Sequence, residues 1–438
     1  MNKRHVQKMA VLIFLTATLS QCKKNLSQSA SDEVLQSNSS EERSITESKK
    51  WGAVINGSAA SPADAEDPSK VNYLDPVDKV SLALDYGVTY IRSGVTKETW
   101  DESKEGFLYT YDQYTDNGFK IVLNIIWKDP MNKTTGEPEP VPFVANAGDK
   151  TGAYYKFVKQ VIDTLSSPHH VKPAMVVVEN EETNKGYHVL DHGKSDYDKY
   201  IGMLDAVISI CSPKGIPVTN GGLTARGLTF ATHNWMKSFP KRVEEAKTYA
   251  SNSMPPSAYY TLYPPPPSGV STIGTDNIAT QVDMVNYYID HYKTRNMGGI
   301  NVHWYEPVKV RSWDDSKNNG TPWKYKVSKN DISSGSLDGM VEYVSKKGSP
   351  LKVISNEIGQ LTTSDCLTKK IMNKVDERPY NAFSIACWFD CDAGEPYGAK
   401  ALHNTYNKDP LYKIRSAGSM FQEIIKRPSS SKSCTPLN

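Results

Sequence analysis

The 438-residue sequence lacks an excess of charge of either sign, because 51 Lys and Arg residues stand against 49 Asp and Glu residues. It has no stripe of basic residues of the kind that binds nucleic acid, so we do not expect nucleic acid as a partner. No Gly-rich phosphate loop follows the first apolar run, which disfavours a doubly wound dinucleotide-binding sheet. The composition is that of a globular protein with one large domain or two average ones.

Cysteine is scarce as well. Apart from Cys22, an odd number of cysteines remains, so at least one thiol is free or pairs elsewhere; they are Cys211, Cys366, Cys387, Cys391 and Cys434. The segment CWFDC (387–391) has no second pair of cysteines or histidines at metal-ligand spacing. We therefore expect no metal site, and no motif implies an organic cofactor.

Long apolar runs are missing except near the amino terminus. Residues 9–21 are apolar, follow a basic start and are too short for a comfortable membrane span, which is typical of a signal peptide over residues 1–21. The signal ends at LSQC, which resembles a bacterial lipobox and implies lipid modification of Cys22. The alternative is a plain secretory signal. Both predict export to the bacterial cell envelope, and a lipid would anchor the protein at the outer membrane or cell surface.

Residues 22–50 contain many Ser, Glu and Lys residues and few large apolar ones. Such a segment cannot bury enough surface to fold, so we expect a flexible, lipid-anchored tether. The sequence thus predicts one folded domain over residues 51–438, which we expect to be monomeric.

Eight short apolar runs, most of them β-branched, alternate with helical patterns from Trp51 onward. Parallel strands covered on both faces have this appearance. The runs are 51–57, 87–94, 119–127, 174–182, 216–222, 299–307, 351–359 and 383–391, and the clearest helical patterns cover 76–87, 153–166, 197–215, 278–295 and 416–427. The pattern predicts an α/β protein, a (β/α)₈ TIM barrel with a long insertion between strands 5 and 6.

The insertion (225–298) contains YYTLYPPPPSG, in which the proline run imposes an extended, stiff backbone. Its aromatic side chains either form a wall of a binding groove or pack the insertion against the barrel. The sequence leaves both interpretations open.

The ends of the predicted strands carry polar residues, and in such barrels the chemistry lies at the carboxyl ends of strands. The pair Asn-Glu occurs at two of these ends, as Asn180-Glu181 after VVVE and as Asn356-Glu357 after VIS. The other ends supply Arg92, Asn124, His303, Tyr305 and Trp388.

This set resembles clan A of the retaining glycoside hydrolases, and in motif its cellulase- and mannanase-like family, the family five type. There, the Asn-Glu of strand four carries the general acid/base, and a Glu of strand seven is the nucleophile. The resemblance implies that Glu181 and Glu357 are the catalytic pair. It implies substrate-binding or supporting roles for the other strand-end residues, namely Arg92, Asn124, Asn180, His303, Tyr305 and Trp388.

The chemistry explains these residue types. A retaining mechanism needs two carboxyl groups about 5–5.5 Å apart, one to attack the sugar and one to donate a proton. Arg92 would favour the charged form of Glu357, and Tyr305 would orient it. Asn180 would contact the sugar 2-hydroxyl, and Trp388 would offer an apolar platform for a pyranose face.

The segment ENEE (179–182) leaves the strand register open, because Glu179 or Glu182 could point inward instead of Glu181. By the two-residue strand period Glu179 and Glu181 share a face and Glu182 lies opposite. We favour Glu181 because it alone follows Asn180.

The function expected is a retaining glycoside hydrolase that cleaves β-linked poly- or oligosaccharides. A first alternative is a surface carbohydrate-binding lipoprotein whose glycosidase-like barrel has no activity, but two close carboxylates repel and a binding protein has no need of them. A second is an adhesion or structural lipoprotein in which the motifs coincide by chance, which would leave the two glutamates far apart.

Overall fold

In a computed structural model, the protein is described over residues 50–56, 75–130, 139–190, 194–308, 335–361, 364–379, 382–391, 402–405, 412–427 and 433–434. The predicted signal peptide, Cys22 and the predicted tether up to residue 49 lie outside the described residues. Lys50 is buried, and its Nζ donates to the backbone oxygens of Val375 (3.1 Å) and Arg378 (2.7 Å). The folded part of the chain therefore includes Lys50.

The described strands are β1 (Trp51–Asn56), β2 (Tyr90–Thr96), β3 (Lys120–Ile126), β4 (Val141–Pro142), β5 (Met175–Val178), β6 (His188–Val189), β7 (Val218–Asn220), β8 (Leu223–Thr224), β9 (Ile300–Glu306), β10 (Val353–Gln360), β11 (Phe383–Cys391), β12 (His403–Thr405) and β13 (Tyr412–Ile414). Nine of them form one sheet in the order β7-β5-β3-β2-β1-β11-β10-β9-β8, and every pairing within it is parallel. All eight predicted runs contain a strand of this sheet.

The barrel closes through its fifth strand, which is in two pieces. β7 pairs with β5 and β8 pairs with β9, and only Gly221 and Gly222 separate the two pieces in the chain. Gly222 has a φ of +128°, and a Cβ there would lie 2.3 Å from the His303 ring. A glycine at this break therefore provides both the backbone conformation and the space that His303 occupies. The protein is a (β/α)₈ barrel, as predicted.

The described α-helices surround the barrel; they are α1 (Pro76–Tyr86), α2 (Lys97–Asp116), α3 (Ala153–Leu165), α4 (Lys194–Cys211), α5 (Ala225–Lys237), α6 (Val243–Ser253), α7 (Pro256–Leu262), α8 (Thr275–Tyr292), α9 (Gly335–Lys347), α10 (Asp365–Asp376) and α11 (Ser416–Lys426). Their ends follow local signals. In α1, Asp75 caps the amino end by accepting from Asp78 N, and Gly87 ends the helix at a φ of 73°. None of the described helices is both long and apolar enough to span a membrane.

Two apolar layers result from the alternation of side chains along the strands. Val54, Tyr90, Val122, Val177 and Cys387 belong to a cluster that fills the barrel interior. Residues on the opposite strand faces pack against the helices in a much larger cluster. Since both faces are buried, the strands read as continuous apolar runs in the sequence.

The long insertion predicted between the fifth and sixth barrel strands is confirmed. It lies between β8 and β9 and contains α5 to α8. Tyr259 and Tyr263 are partly buried against an apolar cluster that includes Phe230 and Met254, which favours the packing interpretation for these two rings. Tyr263 also lies with its hydroxyl 2.8 Å from His233 Nε2.

Two of the cysteines are joined: Cys366 at the start of α10 forms a disulfide with Cys434. Cys211 and Cys387 are free and buried. The odd number of cysteines predicted at least one thiol that is free or pairs elsewhere, whereas the Cys366–Cys434 pairing could not be derived from it.

Candidate active site

The predicted polar residues form the next layer of the barrel interior, toward the carboxyl ends of the strands. Arg92, Asn124 and Phe389 lie two residues beyond Tyr90, Val122 and Cys387, which fill the interior below them. Because side chains two apart share a strand face, these residues point to the barrel axis. The structure brings together seven of the predicted site residues through hydrogen bonds and a 3.7 Å contact between His303 and Glu357; the seven are Arg92, Asn124, Asn180, Glu181, His303, Tyr305 and Glu357.

Glu357 on β10 is held at both carboxylate oxygens. Arg92 Nη1 donates to its Oε2 at 2.5 Å, and the Tyr305 hydroxyl donates to its Oε1. Its side chain is 10% exposed. A carboxylate with a guanidinium partner and a phenol donor is kept charged and fixed in orientation, as a nucleophile requires.

Glu181 lies just beyond the end of β5 and is more deeply buried. Its Oε1 is 2.9 Å from His303 Nδ1, and its Oε2 accepts from Asn184 Nδ2 at 2.5 Å. Arg92 and Tyr305 hydrogen-bond to Glu357, whereas His303 and Asn184 hydrogen-bond to Glu181, so the two glutamates have different surroundings. Two carboxyl groups in different surroundings can take different protonation states.

The two glutamates lie close together on facing sides of the site. One ligand atom from each of Glu181, His303 and Glu357 lies within 4.8 Å of the others. His303 Nδ1 is 3.7 Å from Glu357 Oε2. Oxygens of the two glutamates within 4.8 Å of each other are closer than the roughly 6.5–9.5 Å that leaves room for a water molecule between two carboxyl groups.

Arg92 connects three strand ends through its guanidinium group. Besides Glu357, it donates from Nε to Asn124 Oδ1 (3.1 Å) and from Nη2 to Asn180 Oδ1 (2.8 Å). The planar fork of five donors suits such a junction, which a lysine could not reproduce. Arg92 thereby fixes the amide orientations of Asn124 and Asn180.

The three carboxyl groups of ENEE go to three different places. Glu179 accepts from Trp127 N at 2.9 Å, and its burial raises its pKa to about 8. Glu182 is fully buried, which raises its pKa, and accepts from Asn220 Nδ2 (2.8 Å) and the Tyr292 hydroxyl (2.7 Å). Of the three, Glu181 is the one whose carboxyl contacts His303.

The expected sharing of one face by Glu179 and Glu181 is wrong. β5 ends at Val178, and both glutamates have positive φ values, 61° and 47°. The two-residue period applies only while the backbone is extended, so it gives no register beyond Val178. Strain of this kind in residues other than glycine is often found at functional sites.

β10 presents two consecutive residues to the interior, Asn356 and Glu357. The pairing with β9 shifts register between Ile354 and Glu357, which marks a β-bulge. Ile354 and Asn356 follow the ordinary alternation, and the bulge turns Glu357 inward as well. Asn356, which was not among the predicted site residues, is fully buried, and its Oδ1 lies 2.8 Å from His303 Nε2.

Trp388 does not join this group, which corrects the expectation of a sugar platform. It is fully buried and packs against Phe421, with ring centroids 5.5 Å apart. Trp388 points outward because it is one residue out of phase with Cys387 and Phe389 on β11. Phe389 is the aromatic ring at this end of the strand that lies near the site, 6.0 Å from the Tyr305 ring and nearly perpendicular to it.

Glu181, His303 and Glu357 are close enough to one another to bind a metal ion, but their partners do not suit one. The oxygens of Glu357 already accept from Arg92 and Tyr305, and a guanidinium group beside the site opposes a second cation. The imidazole nitrogen that faces the carboxylates is engaged with Glu181. The donor set favours acid–base chemistry.

Comparison with known proteins is informative at the level of the fold. No protein-family model and no curated protein matches the chain. At a TM-score of 0.50 and 12% identity, the chain is similar to a β-glucosidase mutant derived from a hyperthermophilic tetrameric structure, with 86% of this chain and 94% of that chain covered.

Two further structures match at lower TM-scores. They are a glucosidase from Croceicoccus marinus (0.49, 10% identity, 90% of this chain and 69% of that chain) and a family 39 glycoside hydrolase from Bacteroides cellulosilyticus (0.43, 13% identity, 88% and 65%). The chain therefore spans less than two thirds of the family 39 protein. The likeness at a TM-score of 0.50 shows the fold, an α/β barrel of the kind found in a β-glucosidase.

Proposed function

We propose that this protein is a retaining glycoside hydrolase that cleaves β-linked poly- or oligosaccharides, with Glu357 as nucleophile and Glu181 as general acid/base. The observation that carries the proposal is the geometry of the two carboxyl groups. They lie within 4.8 Å at the carboxyl end of a (β/α)₈ barrel and have different hydrogen-bond partners.

In the first step, a Glu357 oxygen attacks the anomeric carbon while the bond from that carbon to the glycosidic oxygen breaks. Arg92 and Tyr305 hold the attacking carboxylate in place. Glu181 gives its proton to the departing oxygen, so that the leaving group departs as an alcohol. The products of this step are a glycosyl ester on Glu357 and an ionised Glu181.

In the second step, Glu181 takes a proton from water, and the resulting nucleophile attacks the same carbon and releases Glu357. Attack on opposite faces in succession restores the original configuration. Asn180 accepts from Arg92 through Oδ1, so its amide nitrogen is the group that would donate to the sugar 2-hydroxyl. Phe389 takes the place of Trp388 as the aromatic neighbour of the sugar.

The order of the strand-end motifs favours the cellulase- and mannanase-like family within clan A, and the barrel shared with a β-glucosidase supports the clan. Export remains part of the proposal, with residues 1–21 as signal, a lipid on Cys22, a tether and a monomeric catalytic domain. The Cys366–Cys434 disulfide supports it, because disulfides persist in oxidising compartments.

The test is hydrolysis by the domain from Lys50 onward across a panel of aryl β-glycosides and β-glucans, with Glu357→Gln and Glu181→Gln alongside. We expect turnover in the wild type, none with Glu357→Gln and a severe loss with Glu181→Gln. Proton NMR of the first sugar released should show the β-anomer. A first product in the α-configuration would contradict the retaining mechanism.

Glu182→Gln is the matched control, because it changes a buried carboxyl of the same segment that accepts instead from Asn220 and Tyr292. Absence of turnover on every substrate, with glycan binding unchanged in both variants, would favour the carbohydrate-binding lipoprotein instead.

A further inference from the structure

A chain of buried asparagines lies beneath the two glutamates and ends at His303. Asn124, Asn301 and Asn356 are each at most 1% exposed. Asparagine amides have one donor end and one acceptor end, so their hydrogen bonds fix which ring nitrogen of a neighbouring histidine carries a proton. The orientation of each of these side-chain amides follows from a neighbouring group that can only donate or only accept a hydrogen bond.

Arg92 fixes the first of these orientations, because its guanidinium nitrogens only donate. Arg92 Nε contacts the Asn124 side chain at Oδ1 (3.1 Å), so Oδ1 is the acceptor end. The other end agrees, because Asn124 Nδ2 contacts the backbone oxygen of Glu179, which only accepts (3.2 Å). Asn124 Oδ1 also contacts Asn356 at 2.7 Å, so the atom of Asn356 on that side is the amide nitrogen.

The opposite end of Asn356 is therefore its carbonyl oxygen, and Asn301 confirms it. Asn301 Oδ1 accepts from the backbone N–H of Asn356 (2.9 Å), and its Nδ2 donates to the backbone oxygen of Asn220 (3.1 Å). The same Nδ2 donates to Asn356 Oδ1 at 2.6 Å. Asn356 Oδ1 also contacts His303 Nε2 at 2.8 Å.

His303 Nε2 must therefore carry a proton, since Asn356 offers it only an acceptor. Its other nitrogen, Nδ1, lies 2.9 Å from Glu181 Oε1. Without a proton between these two atoms, lone pair would face lone pair. Asn184 Nδ2 donates to Glu181 Oε2, because Asn184 Oδ1 accepts from Gly186 N, so the shared proton belongs to Oε1 or to Nδ1.

We infer that Glu181 and His303 hold one catalytic proton jointly, and that Asn356 is the positioning residue that makes this possible by keeping Nε2 of His303 protonated. The inference rests on the proposed function for its catalytic meaning, but its structural part does not. Asn356 touches no reacting atom in this scheme and acts only through His303.

The charges around His303 agree with a retained proton. Glu181, Glu357 and Arg92 face it, and the buried Glu182 lies within electrostatic range. Burial opposes protonation of His303, but the charges of Glu357 and Glu181 outweigh it and raise its pKa, against the opposing charge of Arg92. Two carboxylates beside one cationic imidazole and one guanidinium also leave the site without net charge.

The proton held by Glu181 and His303 is accounted for in both steps of the reaction. When the glycosidic bond breaks, the proton goes to the departing oxygen and leaves an ionised Glu181 beside a neutral His303 that is protonated on Nε2. Glu357 is then an uncharged ester, so one of the charges that favoured protonation of His303 has gone. The pair takes a proton back from water in the second step, when Glu357 is released as a carboxylate.

The first measurement is NMR of the imidazole nitrogens in protein labelled with ¹⁵N-histidine, with the His303→Gln spectrum used for assignment. We expect Nε2 of His303 to stay protonated over the whole pH range in which the protein is folded. The proton shared between Nδ1 and Glu181 should instead be lost as the pH rises. An unprotonated Nε2 would overturn the inference, whether or not the protein hydrolyses any glycoside.

The second measurement is the pH dependence of kcat/KM for Asn356→Asp. The new carboxylate still accepts from His303 Nε2, and its charge should hold the proton on His303. We expect kcat/KM on substrates with poor leaving groups to fall by about 100-fold and the basic limb of the profile to move to higher pH. Aryl substrates whose leaving groups need no proton should react at nearly the wild-type rate.

Asn286→Asp is the matched control, since Asn286 on α8 is half-buried and accepts from Tyr343 at the outside of the barrel. It should change neither the profile nor the leaving-group dependence. Equal losses on good and poor leaving groups with Asn356→Asp would assign Asn356 a purely structural role and reject the shared proton. The glycosidase proposal would survive that result.

Discussion

The Asn-Glu pair after β5 and the Asn-Glu pair within β10 reach the same site by different backbone routes. After β5 the strand has ended, and positive φ values at Glu179 and Glu181 turn the chain so that Glu181 meets His303. In β10 the strand continues to Gln360, and a bulge turns Glu357 inward beside Asn356. A regular strand could not present two consecutive side chains to one face.

The two routes give the glutamates different surroundings. Glu357 is bound by a permanent cation, Arg92, while Glu181 shares a histidine that can gain or lose a proton. A fixed charge suits a group that must stay ionised until it attacks. A titratable neighbour suits a group that must donate a proton and later recover it.

The largest effect should come from removing each of the two carboxyl groups in turn, with Glu357→Ala and Glu181→Ala. We expect Glu357→Ala to lose at least ~10⁴-fold in kcat on every substrate, because no covalent intermediate can form. Glu181→Ala should lose about 10²–10⁴-fold on poor leaving groups and little in the first step with aryl leaving groups that depart as stable anions. Pre-steady-state release of nitrophenol measures that step separately from hydrolysis of the intermediate.

If both variants showed the same leaving-group dependence, the distinction between the two glutamates would be wrong. Glu182→Gln should react like the wild type on both kinds of substrate, because its partners are Asn220 and Tyr292.

A second effect concerns Trp388 and Phe389, neighbours on β11 that face opposite sides. Trp388 is fully buried beneath α11, so Trp388→Ala should lower the free energy of unfolding by ~3–5 kcal/mol. Phe389→Ala removes a partly exposed ring beside Tyr305, so we expect a higher KM and a smaller loss of stability. Denaturant unfolding and steady-state kinetics on both variants check the assignment, which a rise in KM confined to Trp388→Ala would reverse.

The fold was predictable because each of the eight predicted apolar runs contains a strand of the barrel, and several of the helices between them show an apolar face in the sequence. The same continuity hides the register. When both faces of a strand are buried, an aromatic residue at its end can point either way, and Trp388 was assigned to the wrong side for this reason.

The site was predictable as a set of residue types at strand ends, and Arg92, Glu181, His303, Tyr305 and Glu357 do lie together. What the sequence did not reveal depends on backbone departures. No glycine marks the turn at Glu179 or the bulge before Glu357, so neither is visible as a pattern. The role of Asn356 follows only from its partners on two other strands.

The smallest expected effect is on the pH dependence of folding stability, and it distinguishes the buried Glu179 from Glu181. Burial raises the pKa of Glu179 from 4.5 to about 8, so the folded protein retains a proton that the unfolded chain has lost. Because the pKa of Glu179 is higher in the folded protein than in the unfolded chain, its contribution to stability is complete at a pH below the unfolded-state pKa. This contribution disappears as the pH rises through the folded-state pKa. Stability should therefore decline between about pH 5 and pH 8.

Glu179→Gln keeps an oxygen to accept from Trp127 N and has no charge to bury, so this variant should decline less steeply over the same window. Glu306, whose pKa burial raises to about 7, titrates in that window too, so part of the slope should remain. Thermal unfolding midpoints of the variant, the wild type and the exposed control Glu105→Gln measure the difference. If the unfolding midpoints of all three proteins changed in parallel with pH, Glu179 would be ionised in the folded protein. The contrast between a buried, protonated Glu179 and a catalytic Glu181 would then have to be abandoned.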